Sequence, residues 1–349
     1  MTSAMSNDAQ PSVNPFAAQQ YMLRERLHHL LASLHPLLKA DVIVALEGEG
    51  KLLSQPPPTE ANSRDSALAV GVWPLLTLLV AQHVSPDINP LTASSVAVAV
   101  ECFVCAIDLL DDVIDEDQTT TIQALGTARV LNVSTTLLTL AQQALLSLSQ
   151  LNVPHSRILR LLETLQESAL TVAAGQHWDV LAEQRLAQDF TTEECIEITR
   201  AKAGSIMRLA CRLGALCAGA SDELCERFSE LGELLGIAHQ LDNDSHDLYY
   251  LLEGETFATM PAEATGVKSD LVRGKKTLPV VLAASKGYTL QRSLPLADEQ
   301  KEEYLHALHE SIITTWGICL LYRERARDRL QEIEAQRPIA PALHLLLGL

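Results

Sequence analysis

The residues best suited to chemistry are carboxylates gathered at two places. Glu101–Asp117 reads as a mostly apolar run closing on Asp111, Asp112 and Asp115. On a helix Asp111 and Asp115 share one face, with Asp112 about 100° round from Asp111. Like charges at that spacing repel, and the C-terminal end of a helix is the wrong end for anions. A divalent metal resolves the conflict, because Mg²⁺ takes hard oxygen ligands and often bridges carboxylates to substrate phosphates. Alone, the cluster reads equally well as a solvated acidic helix end. A second cluster tips the balance. Leu234–Asp247 is another apolar helical run ending in acids, with Asp244 and Asp247 three apart on one face. Two such helix ends, far apart in sequence, suggest two walls of one metal site.

Composition bounds what can carry these walls. The chain has 349 residues, 47% hydrophobic and only 4% aromatic, and Leu and Ala dominate, which favours an all-helical core over a sheet protein. A net charge of −18 argues against nucleic acid or an anionic membrane surface as a partner. Seven cysteines, an odd number, lie in apolar segments and read as reduced core residues of a cytoplasmic protein. Cys102 and Cys105 form a CxxC, but no second pair lies at zinc spacing. The N-terminus has no secretory h-region, and no apolar run free of charge and proline reaches the roughly 20 residues that span a bilayer.

Taken in order, residues 1–15 form a polar, disordered tail, and 16–349 form one helical domain. Helices are expected at Gln20–Leu38, bent near Pro36, then Asp41–Leu53, Ser66–Gln82 and Pro90–Asp115. Thr119–Thr121 caps a helix to about Leu151 with a break near Asn132. Pro154 begins another, to about Gln188. Thr191-Thr192-Glu193-Glu194 opens a helix to Cys217 as a cap with early acids, and Ser221–Leu251 is the second long buried helix. Glu253–Arg273 is a long loop of the kind that carries function. Helices follow at Thr277–Ser285 and Glu299–Gln336 and after Pro338–Pro341. No strand alternation and no repeat is evident.

Five motifs in order resemble the trans-isoprenyl diphosphate synthases, the polyprenyl synthetase family of class I isoprenoid enzymes, over roughly residues 65–285. Besides the first acidic motif, Gly175-Gln176-His177-Trp178-Asp179 is similar to the family's GQxxD and Lys202-Ala203-Gly204-Ser205 to its K[TA]xx. Gly236–Asp247 resembles GxxFQxxDDxxD, and Gly274-Lys275-Lys276-Thr277-Leu278-Pro279 resembles GKxTLP. The resemblance implies a helical bundle with a central cavity between two Asp-rich helix ends, three Mg²⁺ ions and an allylic prenyl diphosphate as substrate. It implies Asp111, Asp115 and Asp112 as first-wall metal residues, and Asp244, Asn243 and Asp247 as the second wall. Asn243 stands where the family usually has Asp. Lys202 and Lys275 are expected to hold the diphosphate and Gln240 to orient groups beside it. A homodimer is also implied.

The departures from the family are as informative. Its elongating members bind isopentenyl diphosphate through GGKRxRP, a histidine before the first acidic motif and an arginine pair after it. Here residues 68–74 carry no base, Val104 replaces the histidine, and Thr120-Thr121 replace the arginines. Each lost charge-assisted contact is worth about 1.5–3 kcal/mol, and several together would erase micromolar binding of roughly 8 kcal/mol. The expectation is therefore a prenyltransferase whose acceptor is not isopentenyl diphosphate. The pattern resembles the ComQ-type branch, which prenylates a tryptophan of a small peptide. The alternatives are a class I terpene synthase, in which the cation cyclises or meets water, and a non-catalytic regulatory subunit. Phe103, Ala106 and Ile107, below Asp111, are expected to line the prenyl-chain pocket and to suit C15 or longer. Asp108 either extends the metal site or is a helix-surface acid, and His239 is either a base that quenches the cation or a packed polar tip.

Overall fold

The computed structural model describes residues 14–54, 70–253, 275–288 and 298–349, and among them every regular element is helical. The expected disordered tail lies outside the described residues up to position 13, but Asn14 donates to the Gln20 side chain at 2.8 Å and Phe16 is fully buried. The expected loop Glu253–Arg273 also lies outside them, apart from its first residue.

The first helical stretch is two helices and not one bent one. Helix α1 is Ala17–Leu31 and α2 is Pro36–Leu46. Pro36 opens α2 because a helix start needs no N–H there, and the His35 ring caps the end by accepting from Leu37 N at 3.4 Å. Helix α3, Val72–Val84, begins only after Gly71 and ends near the expected Gln82.

Helix α4, Pro90–Ile114, is the axle of the molecule. Asn89 caps it, accepting from Leu91 N at 2.9 Å, and Pro90 occupies its first turn. Every residue from Thr92 to Ala106 is buried. Each fully buried Val or Phe in that run contributes about 1.5–3 kcal/mol, against 0.3–1 kcal/mol for a misplaced charge at a helix end. Burial therefore wins, and the helix tolerates its acids. By length and composition α4 passes the test for a membrane span although Glu101 and Asp108 interrupt it, and 83% of its apolar window is buried inside the fold.

Helix α5 is Thr120–Leu125, capped by Thr119, and α6 is Thr127–Leu146. The break falls at Gly126, at φ 75, whereas Asn132 lies inside α6 and its carbonyl accepts from Thr136. Helix α7 is His155–Glu183 and ends earlier than Gln188. Helix α8, Thr192–Thr199, has a full capping box: Glu194 N donates to Thr191 Oγ1 at 3.1 Å and Thr191 N to Glu194 Oε2 at 2.9 Å. A π turn at Arg200–Gly204 joins it to α9, Ser205–Cys217. Helices α10, Asp222–Glu253, α11, Leu278–Ser285, α12, Asp298–Glu334, and α13, Pro341–Leu347, complete the order.

Helix α4 packs along α3 and α6, α9 along α3 and α10, and α10 along α12. The largest apolar cluster joins α1 to α4, α6, α7, α9 and the start of α10. A second cluster ties α8, α10, α11 and α12 through Cys195, Ile237, Leu278 and Tyr322. All seven cysteines are buried free thiols, and burial pushes Cys102 and Cys105 far above the reactive range.

Candidate active site

The acidic end of α4 meets two lysines from distant parts of the chain. Lys202 Nζ donates to Asp111 Oδ1 at 3.3 Å, and Lys275 Nζ bonds Asp115 Oδ2. Asp115 caps α4 and is only 5% exposed. Burial, then the like charge of Asp115, raises the Asp111 carboxyl above its ordinary range, with Lys202 and Lys275 opposing. Asp112 is half-buried on the adjacent face, and its carbonyl accepts from Asp117 N at 2.9 Å.

Lys202 reaches this position because of the π turn that carries it. Such turns are rare and cluster at functional sites. Two glycines let neighbouring helices close on it. A Cβ at Gly175 of α7 would stand 2.7 Å from Ala201 Cβ, and one at Gly236 of α10 would stand 2.6 Å from Ala203 O. No side chain fits in either gap. The Lys202 ammonium is thereby held between Asp111 and the Gly175–Asp179 motif, donating also to Asp179 Oδ2 at 2.7 Å. Burial alone would lower its pKa, but Asp111 and Asp179 outweigh that and raise it. Gln176 of the same motif has a buried amide with no partner on either atom.

The second wall is ordered differently. Asp244 is 9% exposed and accepts from Gln240 Nε2 at 2.7 Å, so Gln240 orients a carboxylate. Asn243 turns to the exposed face, with its amide 3.4 Å from His239 Nε2, and Asp247 is exposed one turn on. His246 is exposed, with Nδ1 2.9 Å from the Asp242 carbonyl and its ring 5.4 Å from the Trp316 ring. The walls communicate through Cys195. Its thiol donates to Lys276 O at 3.1 Å, and after burial the charges of Asp244 and Asp179 are what raise its pKa. The structure thus gathers Asp111, Asp115, Asp179, Lys202 and Lys275 around one mouth, and Asp244 and Asp179 both act on the Cys195 thiol.

These donors suit Mg²⁺ by type, being hard, crowded carboxylate oxygens. Among the described residues no three of them converge on a single point. That suits an ion held by one or two carboxylates on each wall that takes its remaining oxygens from a phosphate.

A cavity of 570 Å³ lies among the Glu49–Lys51 turn, α3, α10 and the C-terminal helix. Its walls are Val72, Trp73, Leu76, Met207, Leu235, Ala238 and Leu345–Leu349, with Glu49, Gly50, Lys51, His239 and Arg323. His239 exposes its ring to this space, while the surrounding protein lowers its pKa by burial. Lys51 is a residue that sequence reasoning missed. Residues 68 and 69 lie outside the described part, but Gly71 N donates to Gly50 O at 2.9 Å, which lays the Gly48–Ser54 turn against the start of α3. The region expected to lack bases therefore has one. The signal was present as Gly48-Glu49-Gly50-Lys51, a better match to the GGK of GGKRxRP than residues 68–74.

Lys51 bonds Asp108, 57 residues away on α4. Glu101, fully buried about two turns below, accepts from Leu52 N at 2.6 Å, and its Oε2 has no partner. Burial pushes its carboxyl up to about 7 against the pull of Lys51 and the Leu52 N–H. Val104 is buried core, Thr120 is exposed and Thr121 is buried at the start of α5. Phe103 and Ala106 are fully buried on α4 and Ile107 is half-buried against the main cluster.

The polyprenyl synthetase family signature matches residues 71–312, well over half the chain. The chain belongs to the polyprenyl synthetase family. A geranylfarnesyl diphosphate synthase of Aeropyrum pernix is 27% identical over 273 residues, 75% of this chain and 83% of that one. A geranylgeranyl diphosphate synthase of Methanosarcina mazei is 34% identical over 154 residues, 44% of each chain. Among solved structures, a geranylgeranyl pyrophosphate synthetase from the archaeon Geoglobus acetivorans superposes with a TM-score of 0.72 at 21% identity, covering 95% of this chain and 96% of that chain. That likeness establishes the isoprenyl synthase helical fold. The family consists of transferases.

Proposed function

We propose that this chain ionises an allylic prenyl diphosphate, C15 or longer, and transfers the prenyl group to an acceptor other than isopentenyl diphosphate. The observation that carries this reading is the charge state of the cavity wall. Its lysine is matched by Asp108 and its arginine by Asp242 at 3.3 Å, and Glu49 adds a negative charge. A second diphosphate entering there would find no cation without a counterion, inside a chain of net charge −18. An uncharged, largely apolar acceptor fits the remaining wall of Trp73, Leu76, Met207 and the terminal leucines. A small peptide, as in the ComQ-type branch, is one such acceptor.

At the mouth, Lys202 and Lys275 exchange a carboxylate for the departing diphosphate. As the allylic C–O bond breaks, its electron pair leaves on the phosphate oxygen. Two ammonium groups preset in a partly buried site favour that charge over the ground state. Asp111, Asp115, Asp244 and Asp247 would hold Mg²⁺, with Asp112 and Asn243 beside them. Three ions bound together with diphosphate would act as Lewis acids on the leaving group. Gln240 keeps Asp244 aimed at the mouth. Phe103, Ala106 and Ile107 lie along the prenyl chain. The exposed Leu131, Leu159 and Leu170 on α6 and α7 suit a homodimer face.

The test is incubation with geranyl, farnesyl and geranylgeranyl diphosphate and Mg²⁺, with and without isopentenyl diphosphate. Diphosphate release that ignores isopentenyl diphosphate is expected. A longer prenyl diphosphate formed only in its presence would overturn the reading. That outcome is ordinary elongation, the second reading, which Lys51 and the names of the relatives favour.

A further inference from the structure

We infer that Asp108 is a specificity residue that occupies Lys51 in place of a substrate phosphate and so keeps a second diphosphate out of the cavity. This deepens the acceptor reading above and rests on it. Lys51 is the one lysine in the cavity wall, yet its ammonium is turned onto α4, where Asp108 takes it. Asp108 is not part of the cavity lining, so the pair points the cation off the space it borders.

Three features make this a built arrangement and not a chance surface pair. Lys51 is 15% exposed in its side chain, so its charge needs a fixed partner. Its turn is clamped from two sides, by Glu101 accepting from Leu52 N at 2.6 Å and by Gly50 O accepting from Gly71 N at 2.9 Å. The clamp holds Lys51 at the wall whether or not Asp108 is present. Asp108 also plays no part in the mouth: Lys202 and Lys275 go to Asp111, Asp179 and Asp115. An acid one turn below the metal-type motif, on the face toward Lys51, therefore does one thing, which is to supply negative charge to that lysine.

The consequence is a switchable preference. Removing the Asp108 charge while keeping its shape frees Lys51 for an anion in the cavity. The Asp108 side chain is 44% exposed, so water can take its place and folding should survive.

The experiment is calorimetric titration of isopentenyl diphosphate into wild type, Asp108→Asn and Asp108→Asn/Lys51→Met, with EDTA present so that metal at the acidic walls does not report. Thermal melting of each variant checks folding, and Asp108→Ser replaces the Asn variant should that one unfold. Wild type is expected to bind more weakly than about 1 mM, and Asp108→Asn at least 10-fold more tightly, about 1.4 kcal/mol, with the gain lost in the double variant. Equal binding by wild type and Asp108→Asn would overturn the inference even where wild type ignores isopentenyl diphosphate as a substrate. A gain that survives Lys51→Met would overturn it too, since another group would then hold the anion. Elongation by wild type is a separate failure: it removes the acceptor reading itself, and the inference with it.

Discussion

The mouth and the cavity hold the same kinds of side chain in different numbers. At the mouth, Lys202 is shared between Asp111 and Asp179, at 3.3 and 2.7 Å, and lies close enough to Lys275 for the two cations to repel. Each contact there involves a group that a phosphate or a metal could replace. In the cavity, Lys51 is nearly enclosed, with Asp108 on one side and Glu101 on the other. Both sets are paired, and Lys275 with Asp115 at the mouth is no less enclosed than Lys51 with Asp108. What separates them is number: two lysines and three carboxylates in contact at the mouth, against one lysine and its carboxylate partner beside the cavity.

The sharpest way to break this contrast is to remove a carboxylate from each wall of the mouth. Asp111→Ala and Asp244→Ala are each expected to lower Mg²⁺-dependent diphosphate release about 10³-fold, some 4 kcal/mol of barrier. Release that persists at wild-type rate in either variant would show that the walls are not the ionisation site. Lys202→Met should cost less, about 10²-fold in kcat, because Lys275 remains. A loss seen only in KM would mean that Lys202 merely binds the ground state.

A smaller effect tests how the mouth is held together. Gly236→Ala puts a methyl where 2.6 Å separates it from Ala203 O. The backbone must shift, at about 1–3 kcal/mol of stability. Since the displaced turn carries Lys202, kcat should fall along with the thermal midpoint. A stable Gly236→Ala protein with normal kcat would disconnect the close approach from lysine placement.

How much of this could be read from sequence follows the range of the forces involved. The buried run of α4 and its acids were legible because helical periodicity places Asp111 and Asp115 without any tertiary knowledge. The Thr191–Glu194 box was legible for the same reason, being a contact over three residues. Pro36 and Gly126 were local signals given too little weight: a proline that starts a helix and a glycine at positive φ both outrank a bend or an asparagine. Lys51 was different. Its partner lies 57 residues away, and residues 55–69 separate its turn from the helix it packs against. Only tertiary packing joins them, and residues 68–74, where the motif was expected, carry no base. Likewise the π turn at Lys202 has no sequence periodicity of its own, although the glycines that make room for it, Gly175 and Gly236, stood in the motifs.

The least disruptive probe goes to the cavity side of the contrast. Unfolded, the Glu101 carboxyl titrates near its ordinary 4.5; folded, burial pushes it up to about 7, with Lys51 pulling it back. The folded state thus holds this proton more tightly than the unfolded one. The stability it contributes is complete below pH 4.5 and is lost as pH rises toward 7. Glu101→Gln keeps the acceptor for Leu52 N but cannot ionise. The thermal midpoint of wild type minus that of the variant should therefore fall by about 7–14 °C between pH 4.5 and 7, on a scale of about 2–4 °C per kcal/mol. A flat difference would mean that Lys51 keeps Glu101 ionised throughout. In that case Lys51 is shared between two full negative charges, and the Asp108→Asn variant should leave it still matched, with a smaller gain in diphosphate binding than Asp108 alone predicts.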